Sequence, residues 1–163
     1  MSSGVPPINR GLFDTEREAL AAVVARLVQG LRPREVYLFG SRAEGRARPW
    51  SDFDIAVVLD DELPDELTSY EHVYAPVLGM GIGCDVVPYR TSELREVLGD
   101  PANPWHATLK KAKKLVAAQN PNAMLLCQLA LADAEVLFWL REAECEEILN
   151  EVPGTELLAL LWR

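Results

Sequence analysis

Two aspartates stand two positions apart, a short distance after a glycine–serine pair. Ten residues separate Gly40-Ser41 from Asp52, and Asp54 follows. In an extended strand, side chains at i and i+2 share a face, so the two carboxylates would converge. Like charges held together are costly unless a cation neutralises them, and Mg²⁺ accepts carboxylate and phosphate oxygens. Since Gly40 admits a close ligand and Ser41 offers a hydroxyl and an N–H to phosphate oxygens, the pattern predicts a metal-dependent phosphate site.

A third carboxylate, Asp85, lies among apolar residues in a segment typical of a strand. A carboxylate on a neighbouring strand would complete a two-metal site for in-line phosphoryl chemistry. No fixed spacing marks Asp85, so its assignment depends on the sheet that forms around it. The stretch 32–48 is locally basic, with five basic and two acidic residues in a chain whose net charge is −9.

The elements that must position these groups can be predicted from hydrophobic spacing. Thr15 and Glu18 match a capping box, and apolar residues at helical intervals continue to Gly30. The pattern predicts strands over 35–39, 54–59 and 84–89 and helices over 92–98 and 105–118, and it favours a helix over 66–78. These elements predict an α/β fold, a small mixed sheet flanked by helices.

The composition changes at Asn120-Pro121-Asn122. We therefore predict a lead-in over 1–14, a main domain over 15–119 and a helical C-terminal segment over 120–163. Residues 117–163 hold two basic and eight acidic residues, a net of −6, together with a long apolar run. A helix that is apolar on nearly all sides must be buried. This segment packs on its own domain, or it forms a homo-oligomer or partner interface.

The motifs GSRA at 40–43 and SDFD at 51–54, with Gly45 between them, carry a resemblance. They are similar to the signature of the DNA polymerase β-like nucleotidyltransferase superfamily. The short form looks most like the minimal nucleotidyltransferases, which in prokaryotes often act as antitoxins of HEPN-domain toxins. The resemblance covers roughly residues 15–116. It implies the polymerase-β-like palm fold.

The resemblance also implies roles for the acidic residues. Asp52 and Asp54 would coordinate two Mg²⁺ ions. Asp85 would bind the catalytic metal and favour deprotonation of the attacking hydroxyl. All three are therefore expected to be both metal ligands and catalytic residues.

The glycine–serine–arginine stretch is expected to bind the nucleotide. By the resemblance, Gly40 and Ser41 would hold the triphosphate of ATP or another nucleoside triphosphate, and Arg42 would steady phosphate charge. Pyrophosphate would be the leaving group. The protein would then mainly position groups around the reacting phosphate.

The implied function is Mg²⁺-dependent transfer of a nucleotide, AMP from ATP, to a hydroxyl acceptor. The resemblance suggests a Tyr of a cognate HEPN toxin as the acceptor and an antitoxin as the setting. Two alternatives stay open. One is nucleotidyl transfer to a small molecule such as an aminoglycoside. The other is a non-catalytic antitoxin that binds its partner through the C-terminal segment.

Composition excludes several other classes of protein. The acidic balance, 25 acidic against 16 basic residues, argues against general nucleic-acid binding. Three cysteines without a pairing or CxxC pattern indicate reduced thiols in a cytoplasmic protein. The most apolar stretch, 123–140, is interrupted by three polar or charged residues, so we expect no membrane span.

Overall fold

The computed structural model describes residues 4–117 of the chain. The predicted helical segment 120–163 lies outside the described residues. Within them, four strands form one mixed sheet in the order β3-β2-β1-β4. The strands are β1 (Glu35–Phe39), β2 (Phe53–Leu59), β3 (Cys84–Arg90) and β4 (Lys113–Ala117). The predicted α/β class and mixed sheet are confirmed.

The first helix, α1 (Glu16–Leu31), begins as the capping box predicts. The Thr15 hydroxyl accepts a hydrogen bond from the Glu18 N–H at 3.1 Å, and the Glu18 carboxylate accepts one from the Asp14 N–H. The helix ends at Arg32, whose φ of 48° lies in the left-handed region. Nine apolar residues of α1 are buried, and seven of them belong to the core cluster that it shares with the strands, so packing rather than propensity stabilises α1.

The central strand β2 explains why its sequence is a continuous apolar run. It pairs antiparallel with β1 and parallel with β3. Ile55, Val57 and Leu59 join the core under α1, whereas Ala56 and Val58 join a second core on the opposite face. A strand buried on both faces cannot alternate apolar and polar residues. Asp54 stands two residues before Ala56, so its side chain lies on the same face of β2 as the second core.

Four shorter helices complete the described fold. Two of them, α4 (Thr91–Gly99) and α5 (His106–Lys110), bury Leu94, Val97 and Leu109 against the second face. The other two, α2 (Gly40–Ala43) and α3 (Tyr70–Tyr74), follow β1 and precede β3. The helix favoured over 66–78 is divided by 3₁₀ turns at Asp65–Thr68 and Ala75–Val77. Pro76 lies in the second turn, where it cannot donate an N–H to a continuing helix.

The predicted helix over 105–118 is wrong. Only His106–Lys110 is helical, and Lys113–Ala117 forms β4 beside β1. The four lysines between 110 and 114 are typical of a solvated helix face, but Leu115 and Val116 are almost fully buried in the core. The β1–β4 register shifts between Val36, which pairs with Val116, and Tyr37, which pairs with Lys114. Leu115 is thus an extra residue in β4, and this irregularity allows the adjacent Leu115 and Val116 side chains both to be buried.

None of the described helices is long and apolar enough to cross a membrane. The apolar stretch 123–140 lies outside the described residues.

Candidate functional site

Asp54 and Asp85 are direct neighbours across the parallel β2–β3 pair. Each follows the first residue of its strand, so both lie at the same end of the sheet. Asp54 is half-buried and Asp85 is exposed. The sheet register therefore brings together two carboxylates that are far apart in the sequence, and it gives Asp85 the position that sequence spacing alone could not assign.

The electrostatics of Asp54 reflect this proximity. Burial raises the pKa of Asp54 above its ordinary value, and the negative charges of Asp85 and Asp52 raise it further. The Arg42 guanidinium opposes this and lowers the pKa. A half-buried carboxylate crowded by two others is a site where a bound cation would be favourable.

Gly40 forms the surface against which Asp54 lies. Its φ of 70° is left-handed, and a Cβ at this position would collide with the Asp54 Oδ2. Glycine is required twice here, for the backbone angle and for the carboxylate beside it. Ser41 follows as a half-buried residue of α2. Gly40 thus lies directly beside Asp54, and Ser41 follows it in the chain.

The side chains of Asp52 and Asp54 lie against different glycines, Gly83 and Gly40. It is exposed at the position before β2, and its Oδ1 lies against Gly83, where a Cβ would collide with it. In the described chain, no three His, Cys, Asp or Glu side chains converge as a ready metal cluster. The donor set still fits a hard divalent cation, because Asp54 and Asp85 adjoin and the Asp52 charge raises the pKa of Asp54.

Arg42 has protein partners on the chain around Asp52. Its side chain is only 9% exposed. Its Nε and a terminal nitrogen donate to the Ser51 carbonyl at 3.0 and 2.6 Å, and the guanidinium stacks 4.0 Å over the Phe53 ring. The guanidinium therefore binds the residues on either side of Asp52, and its expected contact with phosphate stays a prediction.

Two further arginines of the basic stretch 32–48, Arg46 and Arg48, also contact other side chains. Arg46 and Lys111 pair with Glu44 at 2.8 and 3.1 Å, and together they lower the pKa of that carboxyl. The Arg48 guanidinium lies 5.7 Å over the Trp50 ring. These side chains are on the surface, where such pairs contribute little to stability.

A cavity of about 760 Å³ opens over the Asp54–Asp85 pair. Gly40 and Phe39 border it on the β1 side, and aromatic residues form much of the remaining wall. Trp105 is 52% exposed, and its ring meets Phe39 edge-on at a centroid distance of 6.4 Å. The aromatic members of the wall are Phe39, Tyr70, Tyr74, Tyr89 and Trp105.

Two parts of the site, the aromatic cavity wall and Asn9, have no signal in the sequence. The aromatic wall comes from residues spread between positions 39 and 105, and no local motif predicts it. Asn9, in the predicted lead-in, hydrogen-bonds to Ser51 and Gly83 beside the aspartates. Only the folded chain brings these residues to the site.

Comparison with known proteins agrees with this geometry. Residues 18–102 match the family model described as a nucleotidyltransferase domain. No curated protein matches the chain. Among solved structures, a chain from one described as "Crystal structure of the toxin-antitoxin with AMP-PNP" aligns at 19% identity and a TM-score of 0.38, covering 80% of this chain and 96% of that one. The family match spans the three strands that carry the site. The structural similarity, at this TM-score, carries no conclusion about function.

Proposed function

Since the chain belongs to the nucleotidyltransferase domain family, we propose that it transfers AMP from ATP to a hydroxyl acceptor with the help of Mg²⁺. The observation that carries the proposal is the register of β2 and β3. It sets Asp54 beside Asp85, next to Gly40 and under a cavity large enough for a nucleotide. The raised pKa of Asp54 supports a cation at this position.

The proposed roles divide the site between metal and phosphate. Asp52, Asp54 and Asp85 would hold Mg²⁺, which when bound would neutralise the charge that develops on the transferred phosphate. Asp85, exposed at the cavity, also receives the proton of the attacking hydroxyl. The acceptor oxygen forms its bond to the α-phosphorus as the bond to the pyrophosphate oxygen breaks.

The phosphates are held by the chain that follows β1. Gly40 leaves its backbone open to a close ligand, and Ser41 presents a hydroxyl and an N–H to the triphosphate. Arg42 acts indirectly, because its bonds to the Ser51 carbonyl hold the backbone that carries Asp52. The proposal thus keeps Gly40 and Ser41 as nucleotide contacts and makes Arg42 a positioning residue.

We further propose that the acceptor is a Tyr hydroxyl of a protein partner and that the chain acts as an antitoxin of a HEPN-type toxin. The resemblance of the GSRA and SDFD motifs to minimal nucleotidyltransferases supports this setting. The aromatic cavity wall is compatible with it, because Tyr70 and Trp105 offer exposed rings to a phenol or to a nucleotide base.

The test is transfer of label from [α-³²P]ATP to a co-expressed toxin partner. Wild type should label the partner in the presence of Mg²⁺, and the double variant Asp52→Ala/Asp54→Ala should not. Glu66→Ala is the matched control, since this exposed carboxylate does not line the cavity. Equal labelling by the double variant would sink the proposal.

The same assay separates the two alternatives. Label on an aminoglycoside and none on protein would identify a small-molecule acceptor. Neutralisation of a toxin by the Asp52→Ala/Asp54→Ala variant, but not by a chain ending at Pro121, would identify a non-catalytic antitoxin that binds through the C-terminal segment.

A further inference from the structure

Asn9 lies outside the family match at residues 18–102, outside the cavity wall, and in a segment whose sequence carries no motif. We propose that Asn9 is a positioning residue that fixes the spacing between the chain before Asp52 and the chain before Asp85. The inference rests on the proposed function, because it concerns how the same acidic site is assembled.

The Asn9 amide bonds to two segments remote from it in sequence. Its Nδ2 donates to the Ser51 carbonyl at 2.9 Å and to the Gly83 carbonyl at 2.8 Å, and its Oδ1 accepts from the Gly83 N–H at 2.7 Å. Its backbone N–H donates to the Pro49 carbonyl at 2.8 Å. Ser51 immediately precedes Asp52, and Gly83 stands two residues before Asp85. One half-buried side chain therefore connects the starts of β2 and β3.

The bonding pattern needs a carboxamide. Two carbonyls demand donors and one N–H demands an acceptor, and the asparagine amide supplies two donor hydrogens and one acceptor oxygen. Aspartate has the same shape but no donor, so its carboxylate would face the carbonyls of Ser51 and Gly83. Alanine would leave all three backbone groups without this partner.

Gly83 lies beside both Asn9 and Asp52. A Cβ on Gly83 would lie 3.2 Å from the Asn9 Nδ2 and would collide with the Asp52 Oδ1, so both side chains pack on the same side of this glycine. The Gly83 carbonyl also accepts from the Phe53 N–H at 3.0 Å. This is the first hydrogen bond between the two acidic strands, and Asn9 shares its acceptor.

The network also predicts which part of the site Asn9 controls. The Ser51 carbonyl is held a second time by Arg42, whose guanidinium is almost buried. Gly83 has no such second side chain among the hydrogen bonds of the described residues. Loss of Asn9 should therefore leave the Ser51 carbonyl held by Arg42 and the Gly83 carbonyl held by the Phe53 N–H. The Gly83 N–H loses its acceptor, which should loosen the start of β3 and shift Asp85 relative to Asp52.

The experiment compares Asn9→Ala and Asn9→Asp with wild type in the full chain. It measures Mn²⁺ affinity of the nucleotide-free protein by electron paramagnetic resonance, together with kcat and KM for ATP in the labelling assay. We expect Mn²⁺ affinity and kcat to fall about 10- to 100-fold, as for other residues that orient metal ligands, with KM for ATP within about twofold. Asn9→Asp should be at least as impaired as Asn9→Ala despite its matching shape.

Thr15→Ala is the control, because it removes a cap from α1 without touching Ser51 or Gly83. It should lower Tm while leaving Mn²⁺ affinity unchanged, which separates positioning from general stability. If Asn9→Ala fails to fold, the milder Asn9→Ser carries the same comparison, and hydrogen exchange at the Gly83 N–H should be faster than in wild type.

The outcomes distinguish this inference from the proposed function. Folded Asn9 variants with wild-type Mn²⁺ affinity and wild-type kcat would overturn the positioning role and leave nucleotidyl transfer standing. A wild type that transfers no nucleotide, but whose Mn²⁺ affinity drops on mutation of Asn9, would reject the proposed function and support the positioning role.

Discussion

Gly40 and Asp54 depend on each other at the centre of the site. The left-handed φ of 70° at Gly40 turns the chain from β1 into α2, and the missing Cβ leaves room for the Asp54 Oδ2. The glycine of the motif is thus required by the neighbouring carboxylate as well as by the proposed phosphate contact. These two requirements can be separated because the chain offers a second glycine with the same backbone angle.

Gly40→Ala should abolish most transfer activity, and Gly45→Ala should not. Both glycines have φ of 70°, but a Cβ on Gly45 has no atom within 4 Å. Both variants should lose about 1–3 kcal/mol of stability from the strained backbone angle. Activity is measured by label transfer at saturating ATP, and stability by urea unfolding. Equal activity in the two variants would mean that displacement of Asp54 is unimportant.

Asp54→Asn should stabilise the metal-free protein at neutral pH while removing activity. Because burial and two neighbouring carboxylates raise the pKa of Asp54 in the folded state above its unfolded value, charged Asp54 disfavours folding. That cost is fully present above the folded pKa and disappears as the pH falls through it. The variant should therefore gain a few degrees in Tm near pH 7, with a smaller gain as the pH is lowered.

The measurement is thermal unfolding of both proteins in a chelator across a pH series. Asp60→Asn, an exposed acid paired with Arg34, provides the control and should not show the same gain. A Tm gain for Asp54→Asn that does not shrink toward acid pH would contradict the charge explanation.

At the scale of the element, β4 is the strand that sequence patterning missed. It completes the sheet beside β1, and Leu115 is 1% exposed in the core under α1. We expect Leu115→Ala to reduce the free energy of unfolding by about 2–5 kcal/mol, as is usual for a fully buried leucine. Lys113→Ala in the same strand removes an exposed side chain and should change it by less than about 0.5 kcal/mol.

Chemical denaturation of the two variants tests this contrast. Similar small losses for Leu115→Ala and Lys113→Ala would place Leu115 outside the core and contradict the β4 pairing.

The elements that could be predicted are those whose sequence signals lie within one short stretch of the chain. Three strands are short apolar runs bounded by turn residues, and α1 carries its own cap and spacing, so each was recognisable without its partners. The Gly40-Ser41 and Asp52-x-Asp54 motifs are likewise contiguous. Their roles in binding and catalysis stay predictions, but the structure does bring them together.

The features that could not be predicted depend on contacts between remote residues. The lysines beside Leu115 are typical of a helix face, but this segment pairs with β1 and forms the edge strand β4. Arg42 is the third residue of a motif predicted to bind phosphate, and the sequence gives no sign that its side chain contacts the Ser51 carbonyl and the Phe53 ring. The contact of Asn9 with Gly83 spans 74 residues, and no periodicity encodes it.

The whole molecule carries a net charge of −9, and at one end of the sheet Asp54 adjoins Asp85, with Asp52 near enough for its charge to raise the pKa of Asp54. A cation bound there would act on the stability of the entire described domain, because β2 and β3 both belong to the common core. Metal affinity should therefore be readable as global stability, without any catalytic assay.

Mg²⁺ should raise the unfolding free energy of wild type by about 1.4 kcal/mol when its free concentration is about ten times the dissociation constant. The gain should vanish in Asp52→Asn/Asp54→Asn, which lacks two of the proposed ligands. It is measured by urea unfolding with and without Mg²⁺.

General screening of the acidic chain must be separated from binding at the site. NaCl at matched ionic strength provides this control, because it screens the net charge of −9 without supplying a divalent ion. Chelation of Mg²⁺ should return wild type to its starting stability. An equal gain from NaCl, or an undiminished Mg²⁺ effect in the double variant, would mean that the stabilisation comes from the surface charge of the whole molecule and not from the aspartates of β2 and β3.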